Sequence, residues 1–212
     1  MSPRRARAAA GSTALRELLV DTAERLLAER QVAAITTRDI ARAAGVSDGV
    51  LYNYFTDKHD LLLAALLRRY GSLMDRFDAA IPEPGTGTIE ENLLAYARAA
   101  HAFQADLVPT VAGLLSEPVL MHRFVEEIHR LIHGPQRTMQ RITSYVTGEQ
   151  QLGRLDPDVD PVATATLLTG AALTLVVATH LAPPDHRPGP EEHLPAVVTT
   201  LIRGLAGPAI PQ

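Results

Sequence analysis

The sequence predicts an all-α protein of about nine helices, with a short helix-turn-helix near the N-terminus and a larger helical body behind it. Three observations predict this. Apolar residues recur at helical spacing along most of the chain, and Gly and Pro clusters break it into runs of helical length. No run alternates apolar and polar residues with β-branched enrichment, as a half-buried strand would. Hydrophobic residues make up 46% of the 212 residues while aromatics are only 4%, with no Trp. The core must therefore rest on Leu, Ala, Val and Ile. There is no internal repeat.

Residues 1–12 are rich in Arg and Ala and carry no apolar run, so they are expected to form a disordered basic arm bearing Arg4, Arg5 and Arg7. Leu15, Leu18, Leu19, Ala23, Leu26 and Leu27 then define one apolar stripe, which makes this stretch an amphipathic helix. Gln31 to Ile35 is a connector. Thr36-Thr37-Arg38-Asp39 has the form of a capping box, in which Thr36 caps the helix and Asp39 reaches back. Gly45 follows Ala43-Ala44 where a left-handed glycine ends a short helix. Ser47 is the expected N-cap of a second short helix running to about Asn53. Thr56-Asp57-Lys58 opens a long helix whose buried side is Leu61, Leu62, Ala65, Leu66, Tyr70 and Leu73. Pro82 to Gly85 is the clearest boundary. Further helices are expected near 88–105, 107–115, 117–132, 135–152, 159–182 and 190–206, separated by Pro109, Pro118, Gly134-Pro135, Gly153 to Pro161, and Pro183 to Pro190.

Composition excludes several chemistries. With no Cys, disulfides, thiolate metal sites and thiol catalysis are out. No secretory signal is read at the start, and the expected location is the cytoplasm. Ala163 to Ala182 has the length of a membrane span and no formal charge beyond His180. It also holds Thr164, Thr166, Thr169, Thr174 and Thr179, and its flank is Asp156, Asp158 and Asp160 rather than Lys or Arg. A buried helix in a soluble protein is the better reading. The net charge of −4 is uneven, residues 1–70 carrying +3 and the remainder −7. A basic front on an acidic body suits a protein that offers one end to nucleic acid.

In a helix-turn-helix the second short helix enters the DNA major groove. Ile40, Ala41, Val46 and Leu51 are spaced to pack the two helices together, Gly45 permits the turn, and Phe55 is expected to wedge them. Thr37 and Arg38 sit in the first turn of the first helix, where free N–H groups, a hydroxyl and a guanidinium can hold phosphate. Ser47, Asp48, Gly49, Val50, Tyr52 and Asn53 lie on or beside the second. Gly49 allows close backbone approach, Val50 offers methyls to thymine, and Asn53 can bond adenine. Tyr52, Tyr54 and Lys58 are placed for the DNA backbone, and the arm with Arg4 and Arg5 for phosphate or the minor groove. The order Thr36-Thr37-x-x-Ile40-Ala41, Ala44-Gly45-Val46-Ser47, Leu51-Tyr52-x-Tyr54-Phe55 and Lys58-x-x-Leu61 resembles the TetR family of regulators over roughly residues 14–65. Asp48 departs from the basic or neutral polar residue common there. A carboxylate repels phosphate unless it accepts from cytosine N4, so Asp48 is expected to act in specificity.

The resemblance implies a transcriptional repressor that binds a palindromic operator as a dimer and is released by an effector. Residues 13–58 would be the DNA-binding domain and 59–212 the helical ligand-binding and dimerisation domain. The dimer contact would be an antiparallel pair, helices 159–182 and 190–206, whose small residues Ala163, Ala165, Gly170, Ala171, Ala172 and Ala178 allow close approach and whose second stripe is Val197, Val198 and Leu201. Gly153-Arg154-Leu155 with Asp160-Pro161 is similar to the family's entry into the first of these helices. Candidate contacts for a small, mostly apolar effector are Tyr96, His101, Phe103, Gln104, Thr110, Phe124, Met139, Tyr145 and Thr174. His122, Glu126, His129 and His133 share a helix face with metal-ligand spacing, but nothing in the sequence closes such a site, and a polar solvated face is the expectation. No cofactor and no enzymatic activity are expected, since there is no phosphate loop and no nucleophile elbow. Two alternatives remain open: a DNA-binding regulator without a small-molecule effector, and a metal-dependent hydrolase built on the His face.

Overall fold

A computed structural model describes residues 3–130, 136–183 and 189–204, with side chains beginning at Gly11. The described residues hold the helices α1 (Pro3–Glu29), α2 (Thr37–Ala44), α3 (Asp48–Leu51), α4 (Lys58–Ala79), α5 (Ile89–Leu114), α6 (Pro118–Arg130), α7 (Gln136–Gln151), α8 (Pro161–Leu181) and α9 (Pro190–Arg203), and a 3₁₀ turn at Val32–Ala34. No strand occurs among them. They divide into two compact units: Met1–Ser72 with Thr110–Leu131, and Leu73–Pro109 with Ile132–Gln212.

In the first unit, α1 packs on α2 and α2 on α3. The helix starts at Pro3 rather than after an irregular arm through residue 12, because Ala and Arg are strong helix formers and proline suits a first turn. The side chains of Arg4, Arg5 and Arg7 lie outside the described residues. The first apolar stripe is rotated slightly from its sequence expectation. Leu19, Ala23 and Leu26 are buried, Leu18 is exposed, and Val20 and Thr22 are buried in its place. Thr22 tolerates this because its hydroxyl donates to the Leu18 carbonyl at 2.8 Å, so no buried donor is left unpaired.

Two features hold α4 in this unit, and the second ties it to α1. Leu61, Leu62, Ala65 and Leu66 are fully or almost fully buried, each large side chain contributing roughly 1.5–3 kcal/mol of apolar burial. Arg68 reaches Glu24 with Nη2 at 2.7 Å, Asp21 at 2.5 Å and Glu17 at 3.3 Å. Later in the unit, Phe124 of α6 meets Tyr70 edge to face, with ring centroids 6.2 Å apart.

In the second unit, α7 packs on α8 and α8 on α9. The break expected at Pro109 does not occur, and α5 runs through it. Proline there removes one backbone donor, a cost of roughly 3 kcal/mol that long apolar burial on both sides can outweigh. The loop ahead of α5 is pinned by a fully buried carboxylate. Glu149 accepts from the Gly85 N–H at 3.1 Å and lies 3.3 Å from Arg154 Nη1, while Arg154 Nη2 donates to the Gly87 carbonyl at 2.6 Å. Asp160 caps α8 by accepting from Val162 N–H at 2.7 Å and Ala163 N–H at 3.1 Å, with Pro161 in the first turn. By length and composition α8 could cross a membrane, yet Ala165, Leu168, Ala172 and Val176 are buried within the unit. Small residues Ala165 and Ala172 thus serve packing inside the chain, whereas Ala163 and Gly170 are exposed.

Candidate functional site

The turn between α2 and α3 follows from local chemistry. Thr36 Oγ1 accepts from the Asp39 N–H at 3.2 Å, and Asp39 Oδ2 accepts from the Thr36 N–H at 3.1 Å, completing the capping box. The Thr36 hydroxyl and N–H hold the Asp39 carboxyl below its usual range, so it stays ionised at the positive end of the helix. At the other end Gly45 adopts φ 70°, ψ 29°. Gly45 N–H donates to the Arg42 carbonyl at 3.2 Å and Val46 N–H to the Ala41 carbonyl at 3.0 Å, the paired bonds of a Schellman end. Ile40, Ala41, Leu51 and Phe55 are buried beneath the motif and Val46 half-buried. Arg16 of α1 lies over the Phe55 ring at 5.1 Å from its centroid.

The residues that the sequence assigns to DNA differ in exposure. Ser47, Asp48, Gly49, Tyr52 and Asn53 are exposed, Tyr52 by 56%, while Thr37, Val50, Tyr54 and Lys58 are half-buried and Arg38 is exposed. Helix α3 is shorter than expected, ending at Leu51. Asn53 and Tyr54 follow in a turn whose N–H groups donate to Val50 at 3.2 Å and Leu51 at 3.1 Å. Ser47 occupies the N-cap position with extended backbone, but its hydroxyl makes no cap bond and is left free. A β-carbon built on Gly49 meets nothing within 4 Å, and its φ is not left-handed, so the chain itself gives no reason for glycine there. Two of the candidates meet: Arg38 Nε lies 3.4 Å from Asp48 Oδ2, so the acidic departure is paired with an expected phosphate ligand. Lys58 lies 3.8 Å from Glu117, a residue the sequence reading passed over.

The effector candidates separate. Tyr96 is fully buried in the second unit, its hydroxyl 3.1 Å from the Thr138 carbonyl and 2.9 Å from Thr169 Oγ1; burial pushes it up to about 12. Gln104 Nε2 donates to the Thr169 carbonyl at 3.2 Å, so Tyr96 and Gln104 converge on one turn of α8. Phe103 is joined to Tyr96 through Phe77, whose ring lies 5.7 Å from Tyr96 and 5.9 Å from Phe103. Phe77 lies ahead of every residue that the sequence offers as an effector contact. Phe77, Phe103, Leu73 and Ala102 line a cavity of about 160 Å³ with Arg76 and Asp106, which pair at 3.1 Å. Tyr145 is buried beside Asn92 and Glu149, and burial pushes it too up to about 12. His101 and Met139 are half-buried. The others fall elsewhere. Thr174 is exposed and bonds the Gly170 carbonyl at 2.9 Å, Phe124 belongs to the core of the first unit, and Thr110 is also numbered in that unit.

On the His face, His122 Nε2 lies 3.5 Å from Glu126 Oε1, while His129 Nδ1 engages the Val125 carbonyl at 2.7 Å. Among the described residues no three His, Cys, Asp or Glu side chains come together as a metal site, and His133 lies outside them.

Comparison with known proteins agrees with this geometry. Residues 19–65 match the family model for bacterial regulatory proteins of the tetR family. The chain is 36% identical over 119 residues to the HTH-type transcriptional regulator BetI of Rhizobium meliloti (strain 1021), covering 55% of this chain and 56% of that protein. The matched stretch thus spans about half the length of that relative. Among solved structures it is similar in fold to the transcriptional regulator FadR of Bacillus subtilis in complex with stearoyl-CoA, at 20% identity over 90% of this chain and 99% of that one, TM-score 0.62. It is similar also to a protein from Saccharomonospora viridis in complex with choline, at 20% identity over 91% and 97%, TM-score 0.66. Residues 19–65, which carry the capping box, the glycine turn and the exposed face of α3, are thus the part of the chain that matches the tetR family of bacterial regulatory proteins.

Proposed function

We propose that this protein is a cytoplasmic transcriptional repressor that binds a palindromic operator as a homodimer and leaves it when a small, mostly apolar effector binds. The carrying observation is the exposed face Ser47, Asp48, Gly49, Tyr52 and Asn53, held over a buried Ile40, Ala41, Leu51 and Phe55 in a family-matched helix-turn-helix. Gly49 strengthens the reading. With open space around it and ordinary φ, it lets something from outside the chain, such as a base pair edge, come close to the backbone.

A single reading head touches few base pairs, and two-fold pairing doubles the site. Support for dimerisation comes from α8. Ala163, Leu167, Gly170, Thr174, Val177 and Leu181 repeat at spacings of four and three, and all six are exposed. An exposed apolar stripe of that regularity suits a second copy of the same helix. Beside it, Ala171, Ala196, Val197 and Leu201 line a groove of about 500 Å³ that a partner helix would fill.

The effector site is assigned to the second unit, at the cavity beside Phe77 and Phe103. At about 160 Å³ it is smaller than the roughly 300–1,000 Å³ of drug-sized pockets, so the effector either is small or enlarges the cavity. Structural neighbours in complex with stearoyl-CoA and choline support a ligand-binding role for such a body while differing in ligand chemistry. Effector would release DNA by binding the DNA-incompetent arrangement of the dimer more tightly, shifting the population toward it. No catalytic role is assigned.

The test is selection of bound sequences from a random double-stranded DNA pool, followed by a salt titration. A palindrome with half-sites roughly one helical turn apart and a steep loss of affinity with salt is the expected result. No enrichment overturns the reading. Compounds that raise the melting temperature must then weaken the preformed complex, or the effector part of the proposal fails.

A further inference from the structure

The start of α4 carries an inference that rests on the DNA-binding reading and goes beyond it. Lys58 and His59 open that helix, and both face one carboxylate from the other segment of the first unit. Glu117 holds Lys58 Nζ 3.8 Å from Oε1 and His59 Nε2 3.3 Å from Oε2. The three side chains are 25%, 29% and 21% exposed for Lys58, His59 and Glu117, a partly dry setting in which charges act more strongly than on open surface.

Glu117 is fixed by its backbone. Its N–H donates to the Leu114 carbonyl and its carbonyl accepts from the Met121 N–H, both at 2.9 Å, so it stands at the opening of α6. Six residues on, Arg123 lies 3.7 Å from Asp57 Oδ1 and 3.6 Å from Asp60 Oδ1. The segment around α6 therefore presents one anion and one cation to the start of α4, and each meets opposite charge. Asp57 and Asp60 are themselves tied down, Asp57 Oδ1 accepting from the Asp60 N–H at 2.7 Å and Asp60 Oδ2 from the Thr56 N–H at 3.0 Å. Lys58 is the one member of this group that is also an expected ligand of backbone phosphate.

We propose that Glu117 is a built-in competitor for DNA phosphate at Lys58. Without DNA its carboxylate is divided between the Lys58 ammonium and the His59 ring. When operator binds, Lys58 turns toward phosphate, and His59 remains as the partner of Glu117. An ammonium on a four-carbon stem can make that change, since it carries three donors and no fixed fork. A carboxylate at this place weakens DNA binding in two ways: it neutralises the cation and it repels the phosphate that would replace it. Glu117 acts through Lys58 and is thus a positioning residue.

The test uses the full-length chain and the duplex that the wild-type protein enriches from a random pool. Affinity is measured across a salt series for wild type, Glu117→Gln, Lys58→Ala and the double variant, with the melting temperature of each. Glu117→Gln is expected to bind roughly two- to fivefold more tightly at low salt, the size of one partly exposed ion pair. Its log–log salt slope should steepen by up to about 0.9, the value of one phosphate contact. Lys58→Ala should cost more affinity in the Glu117→Gln background than in wild type. A purely structural Glu117 would instead lower melting temperature and binding together and leave the slope unchanged. Equal or weaker binding by Glu117→Gln, or a gain that survives Lys58→Ala, overturns the proposal. If the wild-type chain enriches no duplex, the DNA-binding reading fails and takes this one with it; if wild type binds and Glu117→Gln does not differ, only the competitor is lost.

Discussion

Gly45 offers a measurement in which each contribution can be separated. It stands in the left-handed region at φ 70°, ψ 29°, and its N–H and that of Val46 close the end of α2. A β-carbon placed there meets no atom within 4 Å, so substitution costs conformational strain and nothing from collision. For alanine that strain is about 1–2 kcal/mol. Alanine also narrows the unfolded ensemble, which offsets about 0.4–1 kcal/mol. The net expectation for Gly45→Ala is a loss of about 1 kcal/mol, or a melting temperature lower by about 2–4 °C for a chain of this size. Gly45→Asn should lose less, because asparagine visits the left-handed region more readily. Thermal and urea melts of the three proteins should rank glycine above asparagine above alanine, with DNA affinity following the same order. Alanine at least as stable as glycine, or asparagine worse than alanine, would refute a left-handed turn at this position.

Other outcomes follow from the same geometry. Asp48→Asn should tighten binding to unrelated duplexes by freeing Arg38 from its 3.4 Å partner, and should narrow the preference for the selected site; paired titrations on selected and scrambled duplexes read both. Gly170→Ala puts a methyl into open space within one chain, so a monomer should gain about 1 kcal/mol of helix propensity, whereas a dimer packed on α8 should dissociate more readily in sedimentation. Burial, opposed by the charge of Glu191, holds His101 below the ordinary imidazole range. The unfolded chain therefore binds the extra proton first, the stability from neutral His101 is complete above the unfolded value near 6.5, and it is lost as pH falls below it; His101→Asn should flatten that slope in melts between about pH 7 and 5.

What could be read in advance is what is decided within about one helical turn. The capping box involves residues three apart, the Gly45 bonds span at most five, and the Asp160 cap reaches two and three residues ahead. Each has a local cause, so the positions of α2 and of the turn follow from residue type alone, while the Asp160 cap starts α8 at Pro161, two residues after the start expected at 159. Boundaries failed where burial overrode local preference. Pro109 is a helix breaker by its own chemistry, but α5 is long, and Leu93, Tyr96, Ala97, Ala100, Phe103 and Leu114 bury its face on both sides. The apolar stripe of α1 shifted from Leu18 toward Val20 and Thr22 because a 3.6 period leaves two neighbouring faces nearly equal, and only the packing partners choose between them.

The site divides along the same line. The open face of α3 was legible because a turn of known geometry fixes which residues point away from the packing Ile40, Ala41 and Leu51. The cavity was not, because an aromatic ring in a helix reads identically whether it meets solid core or a void. Phe124, chosen from sequence, meets Tyr70; Phe77, not chosen, joins Tyr96 to Phe103. Charge pairing over long separations is hidden for the same reason. Glu117 is 58 residues from His59, and Glu149 is 64 from Gly85, so neither carboxylate carries a local sign of its task. Glu149 is recognisable afterwards by being fully buried and bonded to a loop N–H, which marks a structural anchor. Glu117 differs: it is part-exposed and shared between Lys58 and His59, and Lys58 is wanted elsewhere. That difference separates a carboxylate that holds the fold from one that can exchange its partner, and so it is Glu117 rather than Glu149 that bears on binding.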